Sequence, residues 1–362
     1  MAHLHPLIAR AQKEGSPLID GDQVTFVWHG PAPGPLLIGD FNAWADDEQH
    51  AIKLEQVSDQ VWTYTQTFDR DAYLEYAYVA AHDHEQRVPD PFNTRSIWNG
   101  VNADNHFFHM PDAPREVPET RRSRGTARGK VTRLSLTHAT GPHASWLLVG
   151  GKRYVRLYQP PVDEPVPLLI VLDGSDFYKR ASIVPIVDTL IANKRIRPIA
   201  LALVDNSPTG RFIEYSASES TLLLLGHEII RIAAEHIPLI DARSNPGVHG
   251  VAGASLGGLM ALYAGLRVPN IFGHVISHSG AFSVIPGHPF VVFDLAQYAP
   301  LPALKLWLDC GKYEGLLQAN RQMKAVLQAR GLDFTYHEFS GGHNYTCWRM
   351  MLPRALETVY GT

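Results

Sequence analysis

The chain has 362 residues, 45% of them hydrophobic and 10% aromatic, with a formal net charge of −4. That is the composition of a globular protein long enough for two domains, and it lacks the basic footprint of a nucleic-acid binder. Two cysteines are too few for a disulfide framework, and the longest apolar runs, such as "TLLLLG", are far too short to cross a bilayer.

The first segment, "HPLIARAQKEG", predicts a short helix ended by Gly15 and Pro17. No basic end followed by a long apolar run precedes it, so no secretory signal is expected, and a cytoplasmic location with it. Short strands with turn residues between them follow. "QVTFVWHG" puts Val24, Phe26 and Trp28 on one face. "GPLLIGDFNAW", "QVWTYTQTF", "YLEYAYVA" and "HFFHM" complete a set whose spacing predicts an antiparallel immunoglobulin-like sandwich over 1–112. "AHDHEQR" groups His82, Asp83, His84 and Glu85 without helical spacing or a distant fourth ligand, and reads as a solvated hairpin turn rather than a metal site. Residues 113–130, rich in Arg, Pro, Gly and Thr with no apolar period, read as a linker.

Over 131–362 strands and helices alternate. "RYVRLYQP", "VPLLIVLDG", "PIALALVDN", "GVHGVAGAS", "HVISHSG", "LKLWLDCG" and "FTYHEFSGG" read as strands. The segments between them carry helical periodicity. Unbroken apolar strands between amphipathic helices predict an α/β domain with a mostly parallel sheet buried on both faces.

Gly253-Ala254-Ser255-Leu256-Gly257 lies where a strand should turn into a helix. G-x-S-x-G in that context places a serine on a sharp turn above the sheet, where backbone N–H groups can meet an oxyanion. Ser255 is therefore the candidate nucleophile and the Leu256 N–H a candidate oxyanion donor. Backbone near Gly174 and Ser175, after "LLIVLDG", is the candidate second donor, with Asp173 fixing that loop. The base should lie late in the chain, and "FSGGHNYTCWR" places His343 on a loop just past the last strand. His274, His278 and His337 lie in or beside strands and read as structural. The acid should follow "LKLWLDCG", where Glu314 has the reach of a loop and Asp309, at the strand end, is the alternative.

At these residues the chain resembles the enterochelin (enterobactin) esterases of the esterase D superfamily of α/β-hydrolases. The likeness rests on Gly253-x-Ser255-x-Gly257-Gly258, "LLIVLDG", "RFIEY" and "GGHNYTCWR", and on "LIGDFNAW", "VWTYT" and "PDPFN" in the front part. It implies an α/β-hydrolase preceded by an early-set domain related to glycogen-binding modules. It also implies hydrolysis of the ester bonds of a catecholate siderophore, releasing iron. By motif it carries nucleophile, base and acid onto Ser255, His343 and Glu314. The chain departs from the family at Gly342-His343-Asn344-Tyr345 and Asp173-Gly174-Ser175-Asp176-Phe177, which alters the pocket and leaves the triad alone.

A ferric catecholate is strongly anionic, and a net charge of −4 offers it no global steering. Arg211, Arg180 and Arg349 are the candidate cations, and Trp98 the candidate aromatic cover. No metal or organic cofactor is expected, and the partner is a small-molecule ester rather than nucleic acid or membrane. A feruloyl or aryl esterase acting on carbohydrate-linked esters is the alternative enzyme. A carbohydrate-binding protein with a degenerate hydrolase domain is the alternative of a different class.

Overall fold

The computed structural model describes residues 5–45, 50–100, 103–138, 151–207, 209–283 and 289–362. They form two compact units. The first runs to Glu116 and takes in Gly311–Gly315 and Phe339–Cys347. The second comprises Val117–Cys310, Leu316–Glu338 and Trp348–Thr362.

The first unit opens with helix Pro6–Glu14. Proline sits in the first turn, where it has no intrahelical N–H bond to lose, and Gly15 at φ 89° ends the helix. Two antiparallel sheets follow. One orders Leu18–Asp20, Gln23–His29, Val61–Thr67 and Glu55–Ser58; the other orders Ile52–Lys53, Leu36–Gly39, Tyr73–Ala80, Asp104–His109 and Ser96–Trp98. Strand Asp83–Val88 also pairs with Tyr73–Ala80. Alternating side chains face a shared core, in which Val24 and Phe26 of one sheet meet Leu37, Leu74, Tyr76 and Phe108 of the other. The "AHDHEQR" stretch turns at Ala81 and His82 and is a strand from Asp83 on; the side chains of His84 and Glu85 lie outside the described residues.

The second unit is built on an eight-stranded sheet. Its order is Lys130–His138, Gly151–Gln159, Ala200–Val204, Leu168–Leu172, His249–Ala254, Phe272–His278, Lys305–Gly311 and Thr335–Phe339. The first two pairings are antiparallel, and the four from Ala200–Val204 to Lys305–Gly311 are parallel. The central strands are apolar end to end because both faces are covered: Leu168–Leu172 and Ala200–Val204 are wholly buried. Strand Leu168–Leu172 lies between Ala200–Val204, which follows it in the chain, and His249–Ala254, which comes next. The order reverses there, which makes the carboxyl ends of these strands the switch point at which open α/β sheets bind ligands. Asp173, Asp205 and Ser255 each sit immediately beyond one of the three strand ends.

Strand Lys130–His138 and helix Tyr345–Tyr360 lie outside the elements expected from sequence. The strand alternates polar and apolar residues at the end of an Arg-rich stretch. The helix contains Pro353, which weakens its sequence signature. Among the described residues no helix is long and apolar enough to cross a membrane, and no group of three or more His, Cys, Asp or Glu side chains is placed to hold a metal ion. Cys310 and Cys347 are buried thiols that form no disulfide.

Candidate active site

Strand His249–Ala254 ends at Ser255, and helix Leu256–Arg267 begins at the next residue. Ser255 has φ 59° and ψ −124°, a conformation that costs a non-glycine residue about 1–3 kcal/mol and persists only where neighbours enforce it. Here they do. The Ser255 N–H donates to His278 O at 2.9 Å, and Ser255 O accepts the N–H groups of Leu259 and Ala281, each at 3.0 Å. Two glycines make the bend possible. A Cβ on Gly253 would lie 2.5 Å from the carbonyl carbon and oxygen of Gly257, and one on Gly258 would lie 2.7 Å from Ser277 Oγ. Gly253→Ala is expected to destabilise the protein by about 1–3 kcal/mol through overpacking, read as a lower urea midpoint with an unchanged m-value.

After Leu168–Leu172 the chain turns at Asp173, with φ 53°, into helix Gly174–Lys179. A Cβ on Gly174 would lie 2.3 Å from the Leu203 carbonyl carbon, so only glycine fits. Of the backbone near Gly174 and Ser175, the candidate second oxyanion donor, the Ser175 N–H donates to Asp205 Oδ1 at 2.7 Å. Asp173 is buried and receives Arg211 through two bonds of 2.8 and 2.7 Å. Arg211 also reaches Ala254 O at 3.4 Å. The pair thus braces the turn before the nucleophile candidate.

Glu314 and His343 are brought together. Glu314 Oε2 lies 2.5 Å from His343 Nδ1, while Oε1 accepts the Gly311 N–H at 2.5 Å. The Glu314 side chain is 2% exposed and that of His343 31%, the arrangement of a shielded carboxylate orienting an accessible imidazole. Asp309 is used differently. It is fully buried, and its Oδ2 accepts from Trp307 Nε1 and meets His278 Nδ1, both at 2.7 Å. His274 stacks on Tyr360 with ring centroids 4.9 Å apart, and burial pushes its imidazole down to about 4, so it stays neutral.

The surroundings of His343 include residues that no sequence motif marks. A cavity of about 280 Å³ is lined by Asp40, Trp44, Glu75, Arg87, Asn99, Asn105, His343 and Asn344. Asp40 follows the buried strand Leu36–Gly39 and is 2% exposed. Its carboxylate accepts the Glu75 N–H at 2.8 Å, Trp44 Nε1 at 3.0 Å and Asn344 Nδ2 at 3.3 Å. Burial, and then the neighbouring Glu75, push it well above the usual carboxylate range. A carboxylate placed directly after a four-residue apolar strand was the available signal.

Of the candidate substrate contacts, Arg180 lies 3.6 Å from Asp176, and Arg349 Nη1 donates to Arg180 O at 3.2 Å. Arg211 is committed to Asp173. Trp98, in the first unit, is half exposed.

The Esterase family model ("Putative esterase") matches residues 148–359. The iron(III) salmochelin esterase of Escherichia coli O6:H1 is 29% identical, across 94% of this chain and 88% of its own length. The iron(III) enterobactin esterase of Dickeya dadantii is 25% identical, across 92% and 88%. Among solved structures, the ferric enterobactin esterase of Salmonella typhimurium superposes with a TM-score of 0.74 at 23% identity, covering 95% of each chain. That likeness is one of fold, an α/β-hydrolase preceded by a β domain. The chain belongs to the Esterase family and is a carboxylic ester hydrolase.

Proposed function

We propose that the protein hydrolyses the ester bonds of a ferric catecholate siderophore of the enterobactin type, so that the iron can be released. One observation carries the substrate: the resemblance to salmochelin and enterobactin esterases runs through 94% and 92% of the chain, front domain included. Two buried cysteines held as thiols fit a reducing compartment, which supports a cytoplasmic reaction.

In this reading His343 Nε2 takes the proton from Ser255 Oγ as the oxygen attacks the ester carbonyl. Glu314 holds the Nδ1–H tautomer and stabilises the imidazolium; its 2.5 Å bond to Nδ1 supports that role. The tetrahedral oxyanion is met by the N–H groups of Leu256 and Gly174, each worth about 3 kcal/mol in the transition state. His343 then protonates the leaving alcohol, and water repeats the sequence on the acyl-enzyme. The iron is cargo and takes no part. Arg349 is the cation of choice for the anionic ligand, because among the described residues its bond is to a carbonyl rather than a carboxylate, whereas Asp173 offsets the charge of Arg211.

The test is hydrolysis of ferric enterobactin against methyl ferulate, followed by chromatography. The expected result is stepwise release of catecholoyl-serine units, with kcat/KM at least about 100-fold above that for methyl ferulate, a margin of the size that differential binding of the substrate supplies. Preference for the ferulate would replace the siderophore with a plant-type aromatic ester.

A further inference from the structure

The loops that carry Glu314 and His343 belong to the same compact unit as the antiparallel sandwich, and polar contacts hold each of them. The histidine loop rests on Asp40. A Cβ on Gly342 would lie 1.9 Å from Asp40 Cγ, and Asn344 Nδ2 donates to Asp40 Oδ2. Both chain neighbours of His343 are therefore fixed by one carboxylate, itself held by the Glu75 N–H and Trp44 Nε1. The acid loop rests on Asp69. Its carboxylate accepts Lys312 Nζ at 2.8 Å and Ser340 Oγ at 2.9 Å, and its N–H donates to Tyr313 Oη at 2.9 Å. The Tyr313 ring packs on Phe68 at 5.6 Å, and the Tyr73 N–H donates to Ser340 O at 3.1 Å.

We propose that the N-terminal sandwich is a positioning element for the acid–base pair, with Asp40 holding the histidine loop and Asp69 the acid loop. This rests on His343 being the base. The two holds are unequal. Lys312 and Asp69 are each about 40% exposed, so that ion pair is weak. Asp40 is buried, so a polar partner left without it is costly. Asp40 and Asn344 are thus the pair whose loss moves His343. Asn344 is separable from the fold: its Oδ1 caps helix Tyr345–Tyr360 through the Cys347 N–H at 3.0 Å, while its Nδ2 alone reaches Asp40. A serine at this position keeps a capping oxygen and drops the Asp40 contact.

The experiment is a double-mutant cycle of Asp40→Ala and Asn344→Ser on a short 4-nitrophenyl ester, with melting temperatures recorded alongside. Each single variant is expected to lower kcat about 10- to 100-fold, the cost of misplacing a catalytic group by about 1 Å, with KM within about twofold. The double variant should match the worse single one, because both remove the same contact. A residue that only stabilises the sandwich would lower the melting temperature and leave kcat intact. Unchanged kcat in Asn344→Ser, or losses that multiply in the double variant, overturns the proposal; if Asp40→Ala does not fold, Asn344→Ser decides alone. His343→Ala, assayed in parallel, separates the two readings. Full activity there removes the base assignment, whereas an inert His343→Ala beside a fully active Asn344→Ser removes only the positioning role.

Discussion

Ser255→Ala is expected to lower kcat on a short aryl ester by about 10⁶-fold, the loss that follows removal of a serine nucleophile whose base and acid act as a unit with it. The variant should melt within about 2 °C of the parent protein, because alanine brings the same Cβ to the same backbone and a ΔΔG near zero moves the midpoint little. The bonds that enforce φ 59°, from Ser255 N–H to His278 O and from Leu259 and Ala281 to Ser255 O, are all made by main-chain atoms. The hydroxyl is thus removable without relaxing the turn. Fluorophosphonate labelling gives an independent measure, since the reagent reacts only with an activated serine; the parent protein should label and the variant should not. Substantial turnover by Ser255→Ala would move the nucleophile elsewhere and reduce the elbow to a glycine-rich packing turn.

The elbow was legible because its chemistry and its packing are both written locally. Gly253, Ser255, Gly257 and Gly258 fall within six residues, between an apolar strand and a helical pattern. The buried runs Leu168–Leu172 and Ala200–Val204 were legible for a similar reason: a strand covered on both faces has no polar residue to obscure it. Glu314 and His343 could be nominated from chain order, each on a loop just past a strand, yet the choice between Glu314 and Asp309 could not be made from composition. It turns on which histidine each carboxylate meets, and those contacts span 29 and 31 residues. The Asp40–Asn344 bond spans 304 residues, and the one local signal, a carboxylate directly after an apolar strand, does not say which residue it meets. Asp40 otherwise reads as an ordinary turn residue, and its burial is what marks it out. The bond from the Ser175 N–H to Asp205, thirty residues on, is equally invisible locally.

Glu314→Gln should cost about 10⁴-fold in kcat with the fold kept, and the reason is tautomeric. The native carboxylate accepts on both oxygens, from the Gly311 N–H at Oε1 and from His343 Nδ1 at Oε2. Glutamine has one oxygen. If that oxygen stays with Gly311, its NH₂ group faces Nδ1, and the imidazole must carry its proton on Nε2, where it cannot accept from serine. If the amide turns over, the NH₂ group meets the Gly311 N–H at a separation of 2.5 Å, donor against donor. Either arrangement disables the base while leaving a side chain of the same volume in a site that is 2% exposed. Asp309→Asn is the matched control. Asp309 Oδ2 serves Trp307 and His278, both buried, so the substitution perturbs a core pair and is expected to cost up to about 3–5 kcal/mol of stability. The folded fraction should keep its kcat. The opposite pattern, with Glu314→Gln active and Asp309→Asn folded but inert, would transfer the acid role to Asp309 and with it the identity of the working histidine to His278.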